Sequence, residues 1–395
     1  MTKGLFKRSG NYFFGMLFSK AANLFLFIFV AKLLSPQDFG SIIYYSTIVS
    51  LVTLVADFGT IQWYQKEVSL LSLKHKAINK LLSARLLSLF ISILITGIYL
   101  FLSQRFSLFV SSVLLISLLP EALLSVFDAF YLENKDPKRI SIKQIARSLI
   151  LVAFVLLFSK NLTIEIFSIA LLIAASLNVF WFIPFNYLKK YKFKLFEAVK
   201  TLKSSSKYAI LITTSYAYSR GDSIIIENTL GSASLGIYSA AYRYLEGISM
   251  LPNAIAQNLF HIAAKKNNLK KGQLLKIIAV MGLFGLISSI FIFITADLLT
   301  TSILGTDYQL SSVVLRIFSL ISFLFFINAP LSSIVQSSDY IKKFIPWGIT
   351  NTVLNLVLNI ALIPKYGLLS AAWIMLFTEI SGLIINLVFV KRIYK

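Results

Sequence analysis

Three charged side chains, Arg220, Asp222 and Glu227, interrupt the otherwise mostly apolar stretch "YSRGDSIIIENTLG" at residues 218–231. Similar interruptions recur along the chain, with Lys20, Arg243 and Arg316 among the bases and Asp57, Glu121, Asp128, Glu246 and Glu379 among the acids. An ionised side chain at mid-bilayer costs about 3 kcal/mol on insertion scales, so such residues normally face a wet path or pair with one another. For Lys20, Arg220, Arg243 and Arg316 the available chemistry is capture of an anionic group such as pyrophosphate, to which a guanidinium donates in pairs. The acids are candidates to hold a coupling cation, H+ or Na+, with Asp57, Asp128 and Glu379 foremost. Tyr216 and Tyr218 offer rings and hydroxyls to a sugar, or equally to a membrane interface. The competing use of all these charges is mutual neutralisation between packed helices.

Helical spacing sorts the charges by face. At 100° per residue Glu121 and Asp128 share one face, Arg243 and Glu246 are neighbours, and Arg220 shares a face with Glu227. Asp222 then points away from Arg220. Catalytic chemistry is poorly supplied: there is no cysteine, and His75 and His261 are the only histidines. No catalytic residue, metal-ligand set or cofactor site is therefore expected, and no glycine-rich phosphate loop for ATP is present.

The elements that carry these residues must be membrane helices. Of 395 residues, 57% are hydrophobic and only 14% charged, and mean hydropathy is +0.80; no ordinary soluble domain approaches this balance. Apolar runs of about 20 residues, enough to cross about 30 Å of hydrocarbon, recur along the whole chain. They predict twelve helices, near 11–33, 40–62, 83–104, 108–131, 141–159, 163–187, 207–230, 235–258, 273–297, 311–334, 341–363 and 367–390. The charged start "MTKGLFKRSG" runs straight into the first of them with no convincing cleavage site, so that helix is expected to stay.

The net charge of +22 follows from topology. Lys and Arg concentrate in alternate connections, 30 of the 38, against four (Lys32, Arg105, Lys160 and Lys365) on the opposite side. By the positive-inside rule both termini are cytoplasmic and the protein is multi-pass. Nucleic acid is not an expected partner.

The basic connection 188–206, "LKKYKFKLFEAVKTLKSSS", divides the chain into an N-terminal six-helix bundle at 1–187 and a C-terminal one at 207–395. The connection itself reads as a cytoplasmic, amphipathic linker against anionic headgroups. Six being even, both halves enter the membrane in the same direction, which implies a parallel repeat. Leu34, Phe39 and Gly40 match Leu230, Leu235 and Gly236 at one constant offset, each set between the first two helices of its half. Gly367 marks a third such turn. In each, Gly is expected to relieve crowding where a helix begins. Pro120, Pro184, Pro252, Pro330 and Pro346 fall within predicted spans and invite kinks.

Three segments carry a family resemblance over nearly the whole chain: "VAKLLSPQDFGSIIYYSTIVSLVTLVADFGT" (30–60), "RGDSIIIENTLGSASLGIYSAAYRYLEGISMLPNAIAQNLF" (220–260) and "NTVLNLVLNIALIPKYGLLSAAWIMLFTEISGLIINLVF" (351–389). They resemble the polysaccharide transport proteins of the multidrug/oligosaccharidyl-lipid/polysaccharide exporter superfamily. Size and span number look most like the Wzx-type O-antigen flippases, which move undecaprenyl-pyrophosphate-linked repeat units across the bacterial inner membrane. The resemblance implies an all-α integral membrane fold, two parallel-repeat six-helix bundles around a central cavity, and alternating access. It implies a polyprenyl-pyrophosphate-linked glycan as cargo, membrane lipid and other polysaccharide assembly proteins as partners, and no enzymatic step. In that family an Asp near the inner end of helix two, followed two residues later by Gly, fits Asp57 and Gly59. An Asp in helix seven fits Asp222. The family often carries an Arg a few residues after that Gly; here Gln62 and Lys66 stand nearby instead. A cation-coupled multidrug exporter of the same superfamily and a membrane enzyme of glycan assembly are the alternatives.

Overall fold

The computed structural model describes residues 2–70, 74–103, 106–134, 136–184, 188, 191–263 and 271–394. Among them there is no strand, as hydrocarbon demands: with no water to bond, every backbone N–H and C=O must be satisfied within its own segment. The helices are α1 Thr2–Leu33, α2 Pro36–Asp57, α3 Thr60–Leu70, α4 Lys74–Ser103, α5 Leu108–Glu133, α6 Pro137–Leu157 and α7 Ile164–Phe182. They continue as α8 Leu195–Leu230, α9 Ser232–Ala263, α10 Lys271–Asp297, α11 Gln309–Ser337, α12 Ile341–Tyr366 and α13 Leu368–Ile393. All but α3 correspond, in order, to the twelve expected spans.

Among the described residues nine helices are long and apolar enough to cross a membrane by length and composition: α2, α4 to α7 and α10 to α13. The long helices outside that set are α1, α8 and α9. The last two are the ones that carry Arg220, Asp222, Glu227, Arg243 and Glu246, and those charges lower their hydropathy.

Two expectations need correction. Pro184 does not kink a span: α7 ends at Phe182 and the chain is extended at Ile183, because the residue before a proline is pushed out of the helical region. The expected linker 188–206 is helical from Leu195 onward and runs into α8 without a break. At 36 residues that helix is about 54 Å long, well beyond the roughly 30 Å of hydrocarbon, so its first turns need not be in lipid. Pro120, Pro252, Pro330 and Pro346 do lie inside helices α5, α9, α11 and α12. Of the basic residues assigned to connections, Arg105, Lys135, Lys189, Lys190, Lys265, Lys266, Lys270 and Lys395 lie outside the described residues.

The chain forms two compact units, Met1–Leu26 with Tyr45–Tyr216, and Phe27–Tyr44 with Ala217–Lys395. In the first unit α3 is packed inward: Trp63 and Tyr64 join Ile78, Leu81, Phe127 and Phe182 in one buried cluster. In the second, α11 is the central helix, touching α9, α10, α12 and α13 and burying Val314, Phe318 and Ile321. The start of α2 belongs to this unit and crosses the start of α9 where Gly40 lies against Gly236. Large apolar side chains cover the outward face of α10, among them Leu283, Phe284, Ile287, Ile290, Phe291 and Ile294, a surface suited to lipid and not to water.

Candidate functional site

The densest charge cluster of the second unit lies between α8 and α9. Tyr238, Tyr242 and Glu246 recur every four residues along α9 and so form one stripe. Arg220 of α8 donates from Nη2 to Glu246 Oε1 at 3.1 Å, and Arg243 donates from Nη1 to Glu246 Oε2 at 2.7 Å. Each guanidinium also lies over a ring, Arg220 above Tyr242 at 5.1 Å and Arg243 above Phe27 at 3.9 Å. The Nε of Arg243 is buried and has no acceptor among the described residues. Two cations thus converge on the two oxygens of one carboxylate.

Asp222 meets the same stripe one level away. Its carboxylate accepts the Tyr238 hydroxyl at 2.5 Å and the Ser223 backbone N–H at 2.6 Å, and the residue is buried. Arg220 and Asp222 therefore do not serve opposite neighbours, as their 200° separation suggests; both reach α9. The long arginine stem allows it, carrying the guanidinium well around the helix from its own Cα. Glu227, expected on the Arg220 face, instead accepts the Ser232 hydroxyl at 2.7 Å where α8 turns into α9.

A second buried polar group links α8, α11 and α13. Tyr218 donates its hydroxyl to Glu379 Oε1 at 2.6 Å, and Asn328 donates Nδ2 to Glu379 Oε2 at 3.0 Å. Asn351, Asn355 and Asn386 extend it by further bonds to Thr378 and Asn328. Tyr216 points elsewhere and bonds the Thr47 carbonyl at 2.8 Å. Arg316 stands apart from both groups, paired with Asp297 at 2.5 Å with both side chains substantially exposed.

In the first unit the acids are bound by bases on neighbouring helices. Arg85 of α4 pairs with Asp57 at the end of α2; Lys143 and Arg147, one turn apart on α6, hold Asp128 (2.6 Å) and Glu121 (2.7 Å) of α5. The shared face of Glu121 and Asp128 is thus the face α6 packs on. Lys143, Arg147 and Arg85 do not belong with the loop charges that set topology: they sit inside helices. The Arg85 side chain is 0% exposed, and among the described residues its Nε and Nη1 find no acceptor. Sequence reasoning overlooked Arg85 as the partner of Asp57; the available signal was its place two residues inside a predicted span. The turn after Asp57 depends on Gly59, whose φ of +69° disfavours any side chain and which lies against the backbone of Ser205 and Ala209. Lys20, grouped at first with the three arginines, is an exposed residue of α1 in this unit.

Among the described residues no group of three or more Asp, Glu or His side chains is arranged to hold a metal ion. Two apolar clefts run along the seam of α12 and α13 and share Phe377. One, of about 490 Å³, is lined by Leu358, Leu362, Tyr366 and Trp373. The other, of about 300 Å³, is lined by Trp347, Leu354, Ile380 and Ile384, and reaches Asn351 of the polar group.

Comparison with known proteins follows the same lines. A family model described as "Polysaccharide biosynthesis protein" matches residues 29–313. The capsular polysaccharide biosynthesis protein CapF of Staphylococcus aureus is 24% identical over 413 residues, spanning 97% of this chain and 99% of that protein. Among solved structures, the lipid II flippase MurJ in an inward closed conformation superposes with a TM-score of 0.75 at 16% identity, over 96% of this chain and 87% of that one. An inward-facing multidrug resistance MATE family transporter of the MOP superfamily superposes with 0.67 at 15% identity, over 95% and 94%. At these identities the two structures establish a shared fold.

Proposed function

The chain belongs to the polysaccharide biosynthesis protein family, and from that membership we propose that it moves a polyprenyl-pyrophosphate-linked oligosaccharide, the repeat unit of a capsule, O-antigen or similar surface polysaccharide, from the cytoplasmic to the outer leaflet. The observation that carries this reading is the convergence of Arg220 and Arg243 on the single carboxylate of Glu246. Two guanidiniums spaced to grip both oxygens of a carboxylate are spaced to grip two oxygens of a diphosphate. Arg316 and Lys20 are secondary cationic positions in this reading. The diphosphate and glycan pass by these cations, while the polyprenyl tail stays in lipid beside the α12 and α13 seam, where the clefts sharing Phe377 offer it apolar walls.

The protein acts as a transporter, without a covalent step, in the cytoplasmic membrane, with both termini on the cytoplasmic side. The two six-helix halves, 1–187 and 207–395, supply the alternating states, and only unequal affinity for the headgroup in those states gives the cycle a direction. Asp222 and Glu379, buried with neutral donors around them, are the preferred positions for a coupling H+ or Na+; the other acids are held by bases or at a turn. Names of relatives support the cargo class: one is a capsular polysaccharide biosynthesis protein and another a lipid II flippase.

Reconstituted liposomes carrying a fluorescent lipid-linked oligosaccharide test the reading. Wild type is expected to move the glycan across the bilayer, and R220A and R243A to slow it at least about tenfold, the size expected for losing a charged contact to the cargo. Dye efflux with no glycan movement would instead make the protein a multidrug exporter.

A further inference from the structure

We infer that Glu246 is a built-in stand-in for the substrate's anion, occupying the diphosphate site when cargo is absent and leaving it when cargo binds. The inference rests on the reading that Arg220 and Arg243 receive a diphosphate, and adds to it the identity of the group displaced.

Geometry and charge both support a replaceable occupant. Glu246 is bound through both its oxygens, one to each arginine, at 3.1 and 2.7 Å. Its side chain is 39% exposed, whereas those of Arg220 and Arg243 are 21% and 12% exposed. The carboxylate is thus the most accessible member of the three, the one an incoming anion meets first. The cations are held from beneath by the Tyr242 and Phe27 rings, contacts that do not depend on Glu246. Once the carboxylate swings away, the forks stay where they are. One carboxylate also leaves a donor of the site unused: among the described residues the buried Arg243 Nε has no acceptor. A diphosphate brings more negative charge and more acceptor oxygens than a carboxylate, so the exchange favours it electrostatically. A vacant pair of largely covered arginines would carry a desolvation cost; Glu246 lowers the energy of the empty state and prevents the site from holding its ligand too tightly to release.

The two roles open to Glu246 predict opposite results on neutralisation. As a structural brace that orients the arginines, Glu246→Gln weakens anion binding. As a competing anion, its removal strengthens binding. The test uses the full-length protein in nanodiscs, with inorganic pyrophosphate as the probe and titration calorimetry as the readout, and the melting temperature of each variant is measured alongside. E246Q is expected to bind pyrophosphate at least about fivefold more tightly than wild type, a coupling of ordinary size between two competing ligands. The gain should vanish in R243A/E246Q. Equal or weaker binding by E246Q overturns the stand-in role, and it does so while leaving the diphosphate reading intact if R220A and R243A each still bind more weakly than wild type. Binding that none of the arginine substitutions changes overturns both, since the site then lies elsewhere. Glu246→Asp, which keeps the charge on a shorter arm, serves where E246Q melts early: it is expected to bind pyrophosphate more tightly than wild type by a smaller factor, and unchanged or weaker binding again overturns the role.

Discussion

Gly40 and Gly236 meet backbone to backbone, each at the fifth residue of its helix, in a reciprocal contact. A Cβ on Gly40 would lie 1.8 Å from the Ser232 carbonyl oxygen, and one on Gly236 would lie 1.9 Å from the Pro36 carbonyl oxygen. The equivalence of the two turns, legible in the sequence as one constant offset between Leu34, Phe39, Gly40 and Leu230, Leu235, Gly236, is therefore a packing relationship: the two copies of the motif lie against each other. Neither glycine has a positive φ. Closeness of two helices requires them, in the manner of small residues at membrane helix crossings.

G40A and G236A are each expected to destabilise the protein by about 1 to 3 kcal/mol, because the obstructing atoms are backbone and the helices must separate. The double substitution should cost less than the sum, since one separation relieves both overlaps. Thermal unfolding in detergent, followed by tryptophan fluorescence, reads this. Full additivity, or unchanged melting in either single variant, would contradict the reciprocal crossing.

A different outcome is expected at the buried pair of Asp57 and Arg85. R85M leaves Asp57 without its cation and D57N leaves a fully buried guanidinium without its anion, so each should cost about 3 to 5 kcal/mol. The double variant D57N/R85M should recover much of that loss, because a neutral pair carries little desolvation penalty. Gradient dependence of the recovered double variant separates a structural pair from a coupling site: it is kept if Asp57 serves only to neutralise Arg85, and lost in the liposome assay if Asp57 binds a transported cation.

The spans were legible because burial in lipid selects runs of apolar residues whose length is set by bilayer thickness, and α4 to α7 and α10 to α13 show that signal plainly. The extra helix α3 was not, since an 11-residue segment with Lys66 and Glu67 looks like a charged connection, and what makes it helical and inward-packed is Trp63 and Tyr64 finding the cluster around Phe127. Neighbours on one helix, such as Arg243 and Glu246, follow from spacing alone. Partners on different helices, such as Asp57 with Arg85 or Glu379 with Tyr218 and Asn328, depend on packing that no local pattern encodes. The direction taken by Arg220 escaped for a related reason: spacing fixes where a Cα faces, while a long side chain chooses its own end point.

Tyr218 and Tyr216, offered by sequence as sugar contacts, are distinguished by what their hydroxyls hold. Y218F removes a donor from the buried Glu379 carboxylate and should cost about 1 to 3 kcal/mol, whereas Y216F removes a bond from the half-buried Tyr216 hydroxyl to the Thr47 carbonyl, whose oxygen also serves its own helix, and should cost about 1 kcal/mol or less. Melting temperatures of the two variants measured side by side decide it. Equal, negligible effects together with weakened glycan binding would return Tyr218 to the role of a sugar contact.

Arg316 offers the cleanest separation of function from stability among the cationic positions. Its pair with Asp297 leaves the two side chains 38% and 59% exposed, and ion pairs so exposed contribute about 0 to 1 kcal/mol after screening and side-chain entropy are counted. R316Q should therefore melt within a degree or two of wild type, unlike R85M, whose lost partner is buried. If Arg316 meets the anionic headgroup during transport, R316Q should nevertheless slow glycan movement in liposomes by about tenfold, and by less as salt is raised and the wild-type advantage is screened. D297N should leave transport at wild-type rate or faster, since it frees the guanidinium without removing it. Normal transport by R316Q at low salt would remove Arg316 from the cationic site.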